Sequence, residues 1–198
     1  MEFLLATKNL HKIREYKVLL KPFTHLEILS LHQFPEYIPP EETGGTFKEI
    51  AIFKAEHASK HLRKWALADD SGLVVALLQG LPGIHSRRFA GEDATDADNR
   101  KKLLEEMKSL TSQDSRTAHY ECCLAISDPE GLKKCVQGFC EGSICMEERG
   151  RHGFGYDPIF IKNEYDKTFG EIDETVKNRI SHRRKAFDRL VPILENLR

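Results

Sequence analysis

Two periodicities alternate along the first third of the chain. Residues 2–6 form a short apolar run that ends at Thr7-Lys8-Asn9. Apolar residues then recur at Ile13, Tyr16, Leu19 and Leu20, the spacing of one helical face. The pattern predicts strand, tight turn, helix. Residues 28–31 predict a second strand, and the Pro-rich stretch 34–40 a loop. Thr46 with Glu49 three residues on is a capping box. The helix it opens carries Phe47, Ile50, Ala51, Ala55, Ala58 and Leu62 on one broad face and should run to about Arg63. Residues 65–68 predict a strand that stops at Asp69-Asp70-Ser71-Gly72, and residues 73–78 are again strand-like.

The pattern then changes. Residues 96–109 read as a charged surface helix with Leu103, Leu104 and Met107 inside. Residues 117–126 alternate, Asp128-Pro129-Glu130-Gly131 is a strong turn signal, and residues 133–139 and 143–146 predict further strands of a meander. A Gly-rich segment, 150–155, leads into a strand at 159–161. A last helix should start at Ser181 as N-cap, bury Ala186, Phe187, Leu190, Ile193 and Leu194, and kink or stop at Pro192. The order predicts an α/β fold with a mixed β-sheet and a cleft between two lobes.

Length and charge narrow the class. A chain of 198 residues can bury a real core. Thirty basic against 31 acidic residues give a net charge of −1, which argues against a nucleic-acid polymer or an anionic membrane as partner. Phosphate recognition must then be local. No apolar run approaches the roughly 20 residues of a membrane span, and the N-terminus reads as a buried strand. The five cysteines (122, 123, 135, 140 and 145) suit reduced thiols in a cytoplasm, and no C-x-x-C pair suggests zinc.

Several clusters carry chemistry. Thr7, Asn9 and Lys12 sit where a strand hands over to a helix, a place that favours an anion; equally, Thr7 or Asn9 caps that helix. Glu41 and Glu42 precede the capped helix as dipole partners or as hard oxygen ligands for Mg²⁺. Asp69 and Asp70 are adjacent carboxylates in a buried context, which is costly without a purpose. On an extended chain they point opposite ways, one free to face a ligand and the other to brace. Lys54 can point at phosphate; His57 and His61 share its helical face with no role attached. Gly153-Phe154-Gly155-Tyr156-Asp157-Pro158 frames an aromatic that can stack on a flat ring or plug the core, beside an acid that can accept from ring N–H groups. His182 and Arg183 are cations at a helix start, the wrong end for the helix dipole, so they point to an anionic or carbonyl partner; Lys177 lies just upstream.

Seven blocks spread over the chain together resemble the inosine triphosphate pyrophosphatase family, nearest its bacterial-type enzymes: Ala6-Thr7-Lys8-Asn9-Leu10-His11-Lys12, Glu41-Glu42-Thr43-Gly44, Ala68-Asp69-Asp70-Ser71-Gly72-Leu73, Leu81-Pro82-Gly83-Ile84, Gly91-Glu92-Asp93-Ala94-Thr95, Gly153-Phe154-Gly155-Tyr156-Asp157-Pro158 and Ser181-His182-Arg183. The resemblance implies a single domain over 1–198, an elongated α/β fold whose central mixed β-sheet is flanked by helices and whose two lobes hold a substrate cleft, and a homodimer that uses Mg²⁺ to hydrolyse ITP, dITP and XTP to the monophosphate and pyrophosphate. It implies that residues 7–12 (Thr7, Lys8, Asn9, Leu10, His11, Lys12) and Lys54 hold the triphosphate. Glu41 or Glu42, with Asp69 and Asp70, would serve the metal, and Asp70 would be the general base. Ser71 would touch substrate, Phe154 with Gly155 and Tyr156 would frame the base, and Asp157, Lys177, His182 and Arg183 would read its edge. Three departures stand out: Lys8 where the family usually has Gly, Ile50 where it has Asn, and Ser86-Arg87-Arg88-Phe89 for the more usual Ser-Ala-Arg-Tyr. A positive φ at Lys8 would strain it. Two rivals are a pyrophosphatase for other nucleotides and a non-catalytic nucleotide binder; the acidic pairs argue against the second.

Overall fold

A computed structural model describes residues 1–41 and 43–197. Six strands form a mixed sheet in the order β2-β1-β3-β4-β5-β6, with helices packed beside it. The strands are β1 (Glu2–Leu5), β2 (Glu27–Ser30), β3 (Trp65–Val75), β4 (Thr117–Asp128), β5 (Gly131–Ile144) and β6 (Phe160–Lys162). The helices are α1 (Leu10–Leu20), α2 (Phe47–Leu62), α3 (Asp96–Glu106), α4 (Glu174–Ile180), α5 (His182–Asp188) and α6 (Val191–Leu194). β1 runs parallel to both β2 and β3, whereas β6 runs antiparallel to β5.

The chain divides into two compact units, each assembled from separate segments. The first contains residues 1–70, 122–138 and 183–198; the second contains 71–121 and 139–182. Each unit has its own core. In the first, Phe3 and Leu5 of β1, Leu67 of β3, Ile13, Tyr16, Leu19 and Leu20 of α1, and Ala186, Phe187 and Leu190 from the C-terminal region pack together. In the second, Leu73, Val75, Leu103, Met107, Tyr120, Ile144, Phe160 and Phe169 do so.

Most elements fall where the pattern places them, with instructive differences. Asp69-Asp70-Ser71-Gly72 does not end a strand: β3 runs through it unbroken for 11 residues. Residues 133–139 and 143–144 likewise belong to one strand, β5, which stops at Ile144 and leaves residues 145–146 outside it. Thr46 caps α2 by accepting from the Glu49 N–H, but the Glu49 carboxylate returns to the N–H of Gly45, one residue before the N-cap. The last helix breaks at residues 189–190, and Pro192 sits in the first turn of α6, where a missing N–H costs nothing. Helix α4, capped by the Asp173 side chain on the Thr175 N–H, has no counterpart in the predicted elements.

Candidate active site

The alternation of β3 sorts the two aspartates. Leu67 belongs to the core that contains α1, and Asp69, two residues on, shares its face. Asp69 is accordingly met by α1 and α5. Its Oδ1 accepts from Lys12 Nζ at 2.7 Å, and its Oδ2 accepts from Tyr16 Oη at 2.5 Å and from Arg183 Nε at 2.8 Å. Arg183 Nη1 also donates to Glu15 at 3.0 Å. Two buried acids and two cations thus form one network of balanced charge. Burial alone would push the Asp69 carboxyl up, but Lys12 and Arg183, with hydrogen bonds from Lys12 and Tyr16, outweigh it and hold it well below the usual carboxylate range. The same surroundings push the Tyr16 hydroxyl up, first through burial and then through the Asp69 charge.

Asp70 faces the other way. Its Oδ1 pairs with Lys54 Nζ of α2 at 2.8 Å, and it is slightly more exposed than Asp69. Lys54 reaches it from a helix whose Ala51, Ala55 and Ala58 are all fully buried. Asp69 is therefore locked among its partners, and Asp70 at the adjoining position pairs with Lys54.

At the start of α1 both readings of the turn meet. Asn9 is the N-cap, its Oδ1 accepting from the N–H groups of His11 and Lys12, and Thr7 Oγ1 accepts from the Asn9 N–H. Lys12 gives two hydrogen bonds to Asp69, one to its carbonyl and one to its side chain, and an ammonium has three donors. Lys8, Leu10 and His11 are exposed around this turn. Lys8 is not among the residues with positive φ, so the departure from glycine there brings no strain. Ile50 is buried, and a Cβ on Gly44 would sit 2.8 Å from it, so this departure exchanges a polar group for packing. Glu41 is exposed, and Glu42 lies outside the described residues. Among the described residues no three His, Cys, Asp or Glu side chains converge on a metal position. Mg²⁺ needs only one or two carboxylates besides phosphate oxygens and water, so the oxygen donors of Asp70 and Glu41 fit that ion chemically.

The second unit holds a different cluster. Gly153 takes φ 76°, and a Cβ there would lie 2.0 Å from Asp157 Oδ2, so only glycine lets the turn fold back onto this acid. Asp157 Oδ2 accepts from the Phe154 N–H at 2.8 Å and from Lys177 Nζ at 2.6 Å; Tyr120 Oη donates to Oδ1 over a longer 3.3 Å. Lys177 Nζ also lies 4.8 Å from the Phe154 ring centroid. Phe154 is half-buried and stands outside the unit's hydrophobic core, so it does not plug that core. The Gly155 N–H donates to Asp96, and its carbonyl accepts from Arg100. Tyr156 is buried and donates to the Ser86 carbonyl at 2.8 Å, and burial pushes its hydroxyl well up. The Ser86 hydroxyl in turn accepts from the Leu73 N–H, while Phe89 is a core residue under the Lys102 ammonium. The His182 ring is buried and lies flat on Tyr120, centroids 4.6 Å apart and planes 11° apart. Ser71 opens this unit's first segment and is half-buried.

The expected site residues thus fall into two sets. Lys12, Asp69 and Arg183 as one network, with Lys54 and Asp70 as a separate pair, lie in the first unit; Phe154, Asp157, Lys177 and His182 lie in the second. Arg183, expected at a base edge beside His182, has its guanidinium against Asp69 and Glu15. Tyr16, Glu15 and Tyr120 were missed. Tyr16 carried a signal, since it stands four residues after Lys12 on one helix face. Tyr120 carried none, because its partners are distant in sequence. His57 and His61 form a separate stack in the first unit, 3.9 Å between centroids, with the Tyr37 hydroxyl on His57 Nδ1.

Comparison with known proteins gives the family and the fold. A model of the Ham1 family matches residues 3–193. The dITP/XTP pyrophosphatase of Protochlamydia amoebophila is 70% identical over 198 residues, 100% of both chains. That of Chlamydia caviae is 48% identical over 197 residues, covering 100% of this chain and 96% of its own. A HAM1 protein from Coxiella burnetii has the same fold, with a TM-score of 0.89 at 39% identity over 100% of both chains. A braced carboxylate pair on a central strand, an aromatic turn on an acid, and full-length likeness at these identities lead to one conclusion: the chain belongs to the Ham1 family.

Proposed function

We propose that this chain hydrolyses deaminated purine nucleoside triphosphates (ITP, dITP and XTP) to the monophosphate and pyrophosphate, and so clears them before they enter DNA or RNA. The observation that carries this reading is the full-length, 70% identity to a dITP/XTP pyrophosphatase. The first unit handles the triphosphate. The turn at residues 7–12 supplies a helix N-terminus and Lys12, and Lys54 adds a second cation. Asp70 takes a proton from water, the water oxygen bonds to the α-phosphorus, and the bond from that phosphorus to the bridging oxygen breaks with its electron pair leaving on pyrophosphate. Lys12 and Lys54 stabilise that charge. Asp69 holds Lys12 in place. Mg²⁺, held by Asp70 with Glu41 or Glu42, would neutralise and orient phosphate oxygens when bound.

The second unit handles the base. Phe154 offers a stacking face and His182 a donor for the 6-oxo group, which adenine replaces with an amino donor. A polar group left unpaired in a dry site costs about 1–3 kcal/mol, enough for clear discrimination. Arg183 acts here as a brace for Asp69. We further infer a homodimer working in a reducing cytoplasm. Exposed Ile38, Leu77 and Met146 offer apolar surface for association, and all five cysteines are free thiols. Product analysis over ITP, XTP, dITP, GTP, ATP and dUTP, with Mg²⁺ and with chelator, tests the reading. Pyrophosphate from the first three, dependent on Mg²⁺, is expected. Orthophosphate, or equal rates on ATP, would overturn it.

A further inference from the structure

Tyr120 is buried on β4 in the second unit, and three aromatic neighbours fix its ring. Phe160 lies 4.7 Å away at 60°, Phe169 lies 6.1 Å away and nearly parallel at 5°, and His182 lies 4.6 Å away at 11°. Its hydroxyl reaches Asp157, the same acid that receives Lys177 and the Phe154 N–H. One side chain therefore touches both His182, the donor that the proposed function gives to base reading, and Asp157, the acid that anchors the Phe154 turn. An imidazole lying flat on a phenol ring cannot tilt about its χ2 axis without losing that contact, so the plane in which its N–H groups lie is set by Tyr120.

We propose that Tyr120 is a positioning residue for base selectivity: its ring sets the plane of His182, and its hydroxyl secures Asp157. The inference rests on the proposed function of this site. An offset aromatic stack stabilises by an amount equivalent to a few-fold up to about tenfold in an equilibrium. The contact to Asp157 is long and adds less.

The test compares wild-type protein, Tyr120→Phe and Tyr120→Leu in pyrophosphate release from ITP and ATP, with thermal melting of each. Tyr120→Leu should lower the ITP-over-ATP ratio of kcat/KM by about tenfold, mainly through KM for ITP. Tyr120→Phe keeps the ring, so most of the selectivity should survive, with a loss of no more than about threefold. A merely structural role would instead lower kcat on both nucleotides together with the melting temperature, and that result would overturn the proposal. Should Tyr120→Leu not fold, the imidazole proton resonances of His182, identified with His182→Gln, decide it. In the wild type they should be shifted upfield by the stack and should move on addition of IMP; in Tyr120→Phe they should keep the upfield position. Resonances that ignore IMP would overturn the inference. A wild type without preference for ITP would overturn the proposed function itself, and this inference with it.

Discussion

The two aspartate-centred clusters solve different problems. Around Asp69 the groups are ionic: two cations, a second buried acid and a tyrosine hydroxyl, on a strand and two helices. Around Asp157 there is one ion pair, and the remaining neighbours are a backbone N–H, a phenol and the Phe154 ring beside the lysine. The first environment suits a polyanion, because its cations are already aligned by counter-acids and need little reorganisation. The second suits a flat, uncharged ring with a polar edge. The difference teaches that an acid's role follows from its neighbours: Asp69 and Asp157 are both about as buried, yet one organises charge and the other organises a turn.

The largest effect that can break this comparison is on stability. Arg183 bridges Glu15 and Asp69, so Arg183→Met leaves two buried acids short of a partner and should destabilise by about 3–5 kcal/mol in urea unfolding. Lys177→Met removes the ammonium paired with Asp157, but the Phe154 N–H and Tyr120 hydroxyl stay. Its cost should be smaller, about 1.5–3 kcal/mol. Equal costs would mean that the two clusters are not built differently. A smaller effect appears on acidification. The folded Asp69 carboxyl lies below its unfolded value near 3.8, so its stabilisation is complete above that value and is lost as pH falls through the folded one. Unfolding midpoints should therefore drop between about pH 5 and pH 2, and Tyr16→Phe, which removes one hydrogen bond holding that carboxyl down, should make the drop shallower.

How far the sequence carried can be judged on particular elements. Strand, turn and helix at residues 2–20 were legible because each bears a single period and Asn9 is a strong cap. β3 was not, since Asp69-Asp70-Ser71-Gly72 carries local turn signals; pairing partners and charge neutralisation keep that polar stretch extended, and neither is visible locally. α4 was missed because seven residues with one buried side chain, Lys177, show no apolar face. The motif residues were legible as types, and the separate directions of Asp69 and Asp70 followed from strand geometry. The partners of Arg183 were not, because position beside His182 says nothing about which way a guanidinium turns at a helix start.

The central claim is that the first unit performs the chemistry and the second reads the base. The most direct measurement is steady-state pyrophosphate release from ITP by Asp70→Asn and Phe154→Ala, alongside their affinity for ITP. Asp70→Asn should lose about 10²–10⁴-fold in kcat while binding ITP nearly as well as the wild type. Phe154→Ala should keep kcat within a few-fold and bind ITP about tenfold more weakly. An Asp70→Asn enzyme with full turnover, or a Phe154→Ala enzyme that loses kcat and keeps its affinity, would contradict the account.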